Sequence, residues 1–96
     1  MGIVYRPHLI RRLIERKIPK DYPEKILKDA EQEYLDAGTK HRIAVKKLFY
    51  AGRLRNMVVA YDIIEDNIAI ITIYPIKTSE IQNKIDSGRW RLDEKN

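Results

Sequence analysis

Residues 42–76 read RIAVKKLFYAGRLRNMVVAYDIIEDNIAIITIYPI, and this stretch decides the fold class. From Arg42 onward, Ile43, Val45, Lys47 and Phe49 alternate with their neighbours, which is the two-residue period of a strand with two unlike faces. Ala51-Gly52 suits a turn, and a second strand is expected from Leu54 to Ile64. Glu65-Asp66-Asn67 is a polar break. Ile68 to Ile76 is then β-branched and nearly continuous, as in a central strand covered on both faces. Three antiparallel strands in succession make a meander.

Upstream, Ile3 to Tyr5 suits a short strand, and Leu9, Ile10, Leu13, Ile14 and Ile18 recur at helical spacing behind Pro7, a residue favoured in a first turn. Pro19 is expected to end that helix. Asp21 with Glu24 reads as a capping box, Pro23 lies in the first turn of a second helix, and Ile26, Leu27, Ala30 and Tyr34 form its buried stripe up to a closing Gly38. Downstream, Ser79 with Gln82 offers another capping box for a short helix bearing Ile81 and Ile85 and ended by Gly88. Arg89-Trp90-Arg91-Leu92 alternates again, and residues 91–96 read as a fraying tail. The expected architecture is α+β: two N-terminal helices packed on an antiparallel β-meander with a short C-terminal helix, as a single domain over residues 1–96.

Fifteen isoleucines and an apolar share of 44% supply a globular core, and 34% charge without long runs of one sign argues against disorder. The absence of cysteine excludes disulfides, thiolate zinc sites and cysteine catalysis. No stretch approaches the roughly 18 apolar residues of a membrane span, and the N-terminus lacks a signal-peptide core, so a cytoplasmic protein without a membrane partner is expected. Net charge is +5, unevenly distributed. Residues 1–20 hold six Arg/Lys against Glu15, and residues 40–55 hold six more plus His41 with no acid. Residues 21–38 carry six acids against Lys25 and Lys28. A polarised surface with an anionic partner follows.

Three groupings bear on function. His8, Arg12 and Arg16 fall at four-residue steps on the first helix, either a phosphate track or an ordinary solvated face. On the first long strand Arg42, Lys46 and Tyr50 share a face, with His41, Arg53 and Arg55 near the hairpin ends. Cations interleaved with aromatics suit single-stranded RNA, although edge-strand lysines also block aggregation. Lys77, Arg89, Trp90 and Arg91 form the third grouping, in which the indole either plugs the core or stacks a base. No metal-ligand spacing, glycine-rich phosphate loop or nucleophile elbow occurs, and no cofactor is expected. RNA carries its own 2′-hydroxyl nucleophile, so His, Lys, Tyr and Arg suffice for its cleavage.

The stretch His8, Arg12, Glu15-Arg16, Ile18, the strand pair Val58 to Asp62 and Ile71-Thr72-Ile73-Tyr74-Pro75, and the ending Ser87-Gly88-Arg89-Trp90 resemble an uncharacterised family of small RelE-like domains. That family is related in form to BrnT toxins within the RelE/ParE-like superfamily. The resemblance spans about residues 5 to 92. It implies cleavage of messenger RNA, often on the ribosome, by basic residues of the sheet and C-terminal segment, and an antitoxin as inhibitory partner, here a small acidic protein. Lys77, Arg89 and Arg91 lie in the corresponding regions. The tyrosine that several RelE-type nucleases carry near the C-terminus has no counterpart after Tyr74. The expected function is a toxin-type endoribonuclease acting by metal-independent 2′-hydroxyl attack, with Arg89, Arg91 and Lys77 on the phosphate and His8 or His41 moving protons. Arg12, Arg16, Arg42, Lys46, Tyr50, Arg53 and Arg55 would hold the RNA. The alternatives are a non-catalytic RNA- or protein-binding module and a ParE-like inhibitor of a protein such as gyrase.

Overall fold

The structure, a computed structural model, describes residues 2–93. The elements are β1 (Ile3–Val4), α1 (Pro7–Glu15), α2 (Tyr22–Lys28), β2 (Gln32–Asp36), β3 (Arg42–Tyr50), β4 (Arg53–Ile64), β5 (Asn67–Ile76), α3 (Thr78–Asp86) and β6 (Trp90–Leu92). They build a six-stranded mixed sheet in the order β1-β5-β4-β3-β2-β6, in which β1 runs parallel to β5 and every other pair is antiparallel. Strands β3, β4 and β5 form the meander that the alternation predicts. Each hairpin closes through two residues of positive φ, Ala51 and Gly52 in the first and Glu65 and Asp66 in the second. Such turns match the right-handed twist of the strands they join.

The expected arrangement of two helices packed on a three-stranded meander is overturned by this mixed sheet. The second helix stops at Lys28, and the residues expected to prolong it to Gly38 become β2. Tyr34 lies four residues after Ala30, which fits a helix, but buried Tyr34 and Asp36 also alternate with the more exposed Glu33 and Leu35, which fits a strand. Pairing of β2 with β3 on one side and β6 on the other decides the matter, a tertiary effect that local pattern does not contain. Gly38 is therefore not a helix cap, and its φ is not in the left-handed region. A Cβ there would stand 2.8 Å from the Arg89 Nε, so glycine serves the close approach of that guanidinium.

Helix ends also differ from expectation. Helix α1 closes before Pro19 through a Schellman motif: Lys17 takes φ 55°, its N–H donates to the Ile14 carbonyl, and the Ile18 N–H donates to the Leu13 carbonyl. Ile18 and Leu13 then bury together. Asp21 occupies the N-cap of α2 without donating or accepting a capping bond, and it pairs instead with Lys25 at 3.1 Å. Helix α3 begins at Thr78 with Lys77 at its N-cap, so the Ser79–Gln82 box does not form, whereas Gly88 follows its last turn with φ 78° as expected. Of the fraying tail expected over residues 91–96, Arg91 and Leu92 lie in β6, Asp93 follows it with its N–H donating to the Glu33 carbonyl, and residues 94–96 lie outside the described residues.

The sheet separates two cores. Leu9 and Leu13 of α1, Ile18 of the loop after it and Ile26 of α2 cover Ala44, Met57, Val59, Tyr61, Ile70 and Ile73 on one face. On the other, Ile81 of α3 and Trp90 of β6 cover Tyr34, Ile43, Val45, Val58, Ala60 and Ile76. Residues 57–61 of β4 are buried on both faces, so its central run carries no charge. The open edge of β5 beyond β1 is blunted in three ways. Ile71 is an extra residue in a β-bulge, Arg16 donates to the Ile73 carbonyl at 3.1 Å, and Pro75, two residues on, has no N–H to offer. None of the described helices is long and apolar enough to cross a membrane. Trp90 is only 2% exposed and stacks on Tyr34 with ring centroids 5.4 Å apart. Trp90→Ala should lower unfolding free energy by about 3–5 kcal/mol in urea titrations, and a loss below 1 kcal/mol would contradict its place in the second core.

Candidate nucleic-acid interface

Several cations singled out by the sequence are engaged within the fold. Arg12 donates to the Thr72 hydroxyl at 3.1 Å and Arg16 to the β5 edge, so the helical stripe of His8, Arg12 and Arg16 leaves only exposed His8 without such a bond among the described residues. Arg42 pairs with Asp93 at 3.0 Å. Arg42, Lys46 and Tyr50 do share one face of β3, but it is the face that α1 and α2 cover. The Tyr50 hydroxyl donates to the Arg16 carbonyl at 2.7 Å, and Lys46 stands half-buried opposite Met57. His41 Nδ1 lies 2.7 Å from an Asp62 carboxylate oxygen, both side chains being half-buried.

The expected catalytic groups are not gathered in one place. Lys77 precedes α3 and Arg89 follows it, so nine helical residues, about 14 Å of axis, separate them. Arg91 is exposed on the edge strand β6, and His8 is on α1. Arg89 donates from Nε to Asp36 Oδ1 at 2.6 Å, and the same oxygen accepts the N–H groups of Gly38 and Thr39 at 2.8 and 3.0 Å. Asp36 is buried, at 6% exposure. Burial pushes its carboxyl pKa up, but the Arg89 hydrogen bond, the two backbone donors and the guanidinium charge outweigh that effect and hold it down from 3.8 to about 2.

The uncovered half of the second face presents a different picture. Helix α3 and Trp90 cover its middle, and the end carrying the β3–β4 turn stays open. There, where β4 runs on past the end of β5, a groove of about 530 Å³ is lined by Lys47, Leu54, Asn56 and Ile76 of this face, by Arg53, Arg55 and Pro75, which the register assigns to the other face, and by Lys77, Thr78 and the single acid Glu80. None of the four cations forms an ion pair among the described residues. Arg55 is aimed by bonds from Nε to the Tyr50 carbonyl at 2.8 Å and from Nη2 to the Ala51 carbonyl. Phe49 and Leu54 face each other across the hairpin, each 61% exposed. Cations around an exposed aromatic on an open sheet face can hold phosphates while the ring receives an unpaired base.

The groove thus includes Arg53, Arg55 and Lys77, which the sequence reading named, and Lys47, Asn56 and Thr78 with neighbouring Phe49, which it did not. Alternation already put Lys47 and Phe49 on the face opposite Lys46 and Tyr50. The missing knowledge was which face the helices take. Among the described residues there is no group of three His, Asp or Glu side chains placed to hold a metal ion. No family model, no curated protein and no solved structure matches this chain.

The depressed Asp36 pKa has a pH signature. A carboxyl whose pKa is lower folded than unfolded contributes stability that is complete above its unfolded value and disappears as pH falls through the folded one. Urea unfolding should therefore show about 2 kcal/mol lost between pH 5 and pH 2 through this group, and Asp36→Asn should flatten that part of the profile while lowering stability at pH 7. An unchanged acid limb in the variant would contradict the assignment.

Proposed function

We propose that this domain binds single-stranded RNA in the groove between the β3–β4 hairpin and α3. The observation that carries the reading is the set of four cations, unpaired among the described residues, around an open groove with one acid and an exposed Phe49–Leu54 pair. A fold has no need of this arrangement, because like charges gathered on one surface repel and exposed apolar pairs contribute little burial. The resemblance of residues 8–18, 58–62, 71–75 and 87–90 to RelE-like domains would favour RNA as the polyanion. A small acidic protein suits the same cations and would compete with RNA for them.

Cleavage of messenger RNA is a second reading, favoured by the His41–Asp62 pair. A carboxylate on Nδ1 fixes the imidazole and leaves Nε2 to accept a proton from a 2′-hydroxyl. If the domain cuts RNA this way, products in EDTA should end in 2′,3′-cyclic phosphate and His41→Ala should stop the cut without weakening RNA binding. Metal-dependent cutting, or full activity in that variant, would dismiss this reading.

For the leading reading, affinity for single-stranded RNA should fall linearly on a log–log plot against salt. Lys47→Ala and Lys77→Ala should each flatten the slope by about 0.7, the value for one phosphate contact on a single strand. Their thermal unfolding should match the parent, since neither side chain forms an ion pair among the described residues. A salt-independent affinity would overturn the proposal.

A further inference from the structure

We infer that Asn56 reads a base in this groove and that the base it selects is an unpaired adenine, an inference that rests on the RNA-binding reading above. Two cross-strand pairs stand side by side on the open face of the β3–β4 hairpin, Lys47 opposite Asn56 and Phe49 opposite Leu54. Asn56 lines the main groove and also an adjoining hollow of about 170 Å³ bounded by Glu31, Gln32, Val45 and Lys47. It is a diagonal neighbour of Phe49, a separation of about 7–8 Å that lets a base lie on the ring while its edge reaches the amide. Lys47, directly opposite Asn56, is then placed for the phosphate of the same nucleotide.

The amide is held for this task. Asn56 Nδ2 donates to the Thr78 hydroxyl at 3.1 Å, which fixes the plane and direction of the side chain and leaves one N–H and the Oδ1 acceptor beside each other. A donor next to an acceptor is complementary to a base edge that presents an acceptor next to a donor. Adenine presents that pair on both edges, N6–H with N1 and N6–H with N7. Guanine, whose N7/O6 edge holds only acceptors, and each pyrimidine offer the combination on the Watson–Crick edge alone, so adenine is the base that can meet the amide with either edge. Adenine also covers more of the Phe49 ring than a pyrimidine does. Arginine and lysine side chains supply the phosphate contacts without regard to sequence, so among the groove side chains the uncharged amide is the one suited to discriminate.

The test is fluorescence anisotropy of labelled RNA octamers of A, C and U with the intact protein at low salt. Oligo(A) should bind about tenfold more tightly than either pyrimidine strand. Asn56→Ala should weaken oligo(A) more than oligo(U) and bring the two to the same level, and Phe49→Ala should weaken all three together. Thr78→Val removes the hydroxyl that holds the amide and should reduce the preference for oligo(A) relative to oligo(U), with thermal unfolding near the parent's, which keeps the inference testable if Asn56→Ala is poorly folded. Equal, salt-dependent binding of all three strands would overturn the role of Asn56 and leave RNA binding standing. A preference for a pyrimidine, or an adenine preference that survives Asn56→Ala, would overturn it as well. Binding of none of them would remove the RNA reading together with this inference.

Discussion

The rest of the structure depends on one buried carboxylate. Asp36 ends β2 with three donors on a single oxygen, two from the turn that follows and one from Arg89. The backbone donors shape the return from β2 into β3, and the guanidinium anchors the residue immediately before β6. Through that anchor β6 pairs with β2, Trp90 is seated on Tyr34, and the chain leaving α3 is held against the second face. A buried charge with one partner removed costs more than the pair contributes against apolar replacements, so the ion pair acts mainly to specify where β6 goes.

Placement of α3 in turn determines what the second face leaves open. Ile81 and Trp90 cover the central apolar positions of this face and leave the side chains of Phe49 and Leu54 exposed at the hairpin end, where α2 meets Phe49 only through the Tyr22 hydroxyl on its backbone carbonyl. The cations divide along the same line. Arg12, Arg16, Arg42 and Arg89 hold an edge carbonyl, a hydroxyl or a carboxylate and belong to the architecture. Lys47, Arg53 and Lys77 line the open groove without ion pairs among the described residues, and Arg55 joins them with its guanidinium braced on the hairpin turn. Proximity to a basic sequence block thus says little about role, since arginines of the same helix stripe can be structural throughout.

Much of the fold was legible because period-two and period-3.6 patterns are strong where burial is strong. The limits of β3, β4 and β5 to within a residue, both hairpin turns and the start of α1 at Pro7 follow from such patterns, whereas the burial of Trp90 was one of two readings they left open. The failure at β2 has a physical cause: Ala30 and Tyr34 satisfy both periods, and no glycine or proline at 29–31 marks the end of α2. Pairing with β3 and with β6, the latter almost sixty residues away in sequence, chooses the strand. The candidate site was legible in part for a related reason. Alternation sorts Lys46 and Tyr50 from Lys47 and Phe49 but does not say which set lies under the helices, and it does not show that Arg12 and Arg16 turn inward to the β5 edge.

The separation of structural from free cations bears on how such a surface persists. Exposed, unpaired lysines contribute about nothing to stability and carry a modest repulsive cost, so folding places little constraint on their identity. Asn56 is different. Half-buried beside Lys47 and bonded to Thr78, it sits in a strand position where a β-branched apolar residue would pack better against Ile76, its neighbour across β5. A polar amide between Lys47 and Ile76, lining an open groove, gives up packing that an apolar side chain would supply, which is the local sacrifice the proposed base recognition would require.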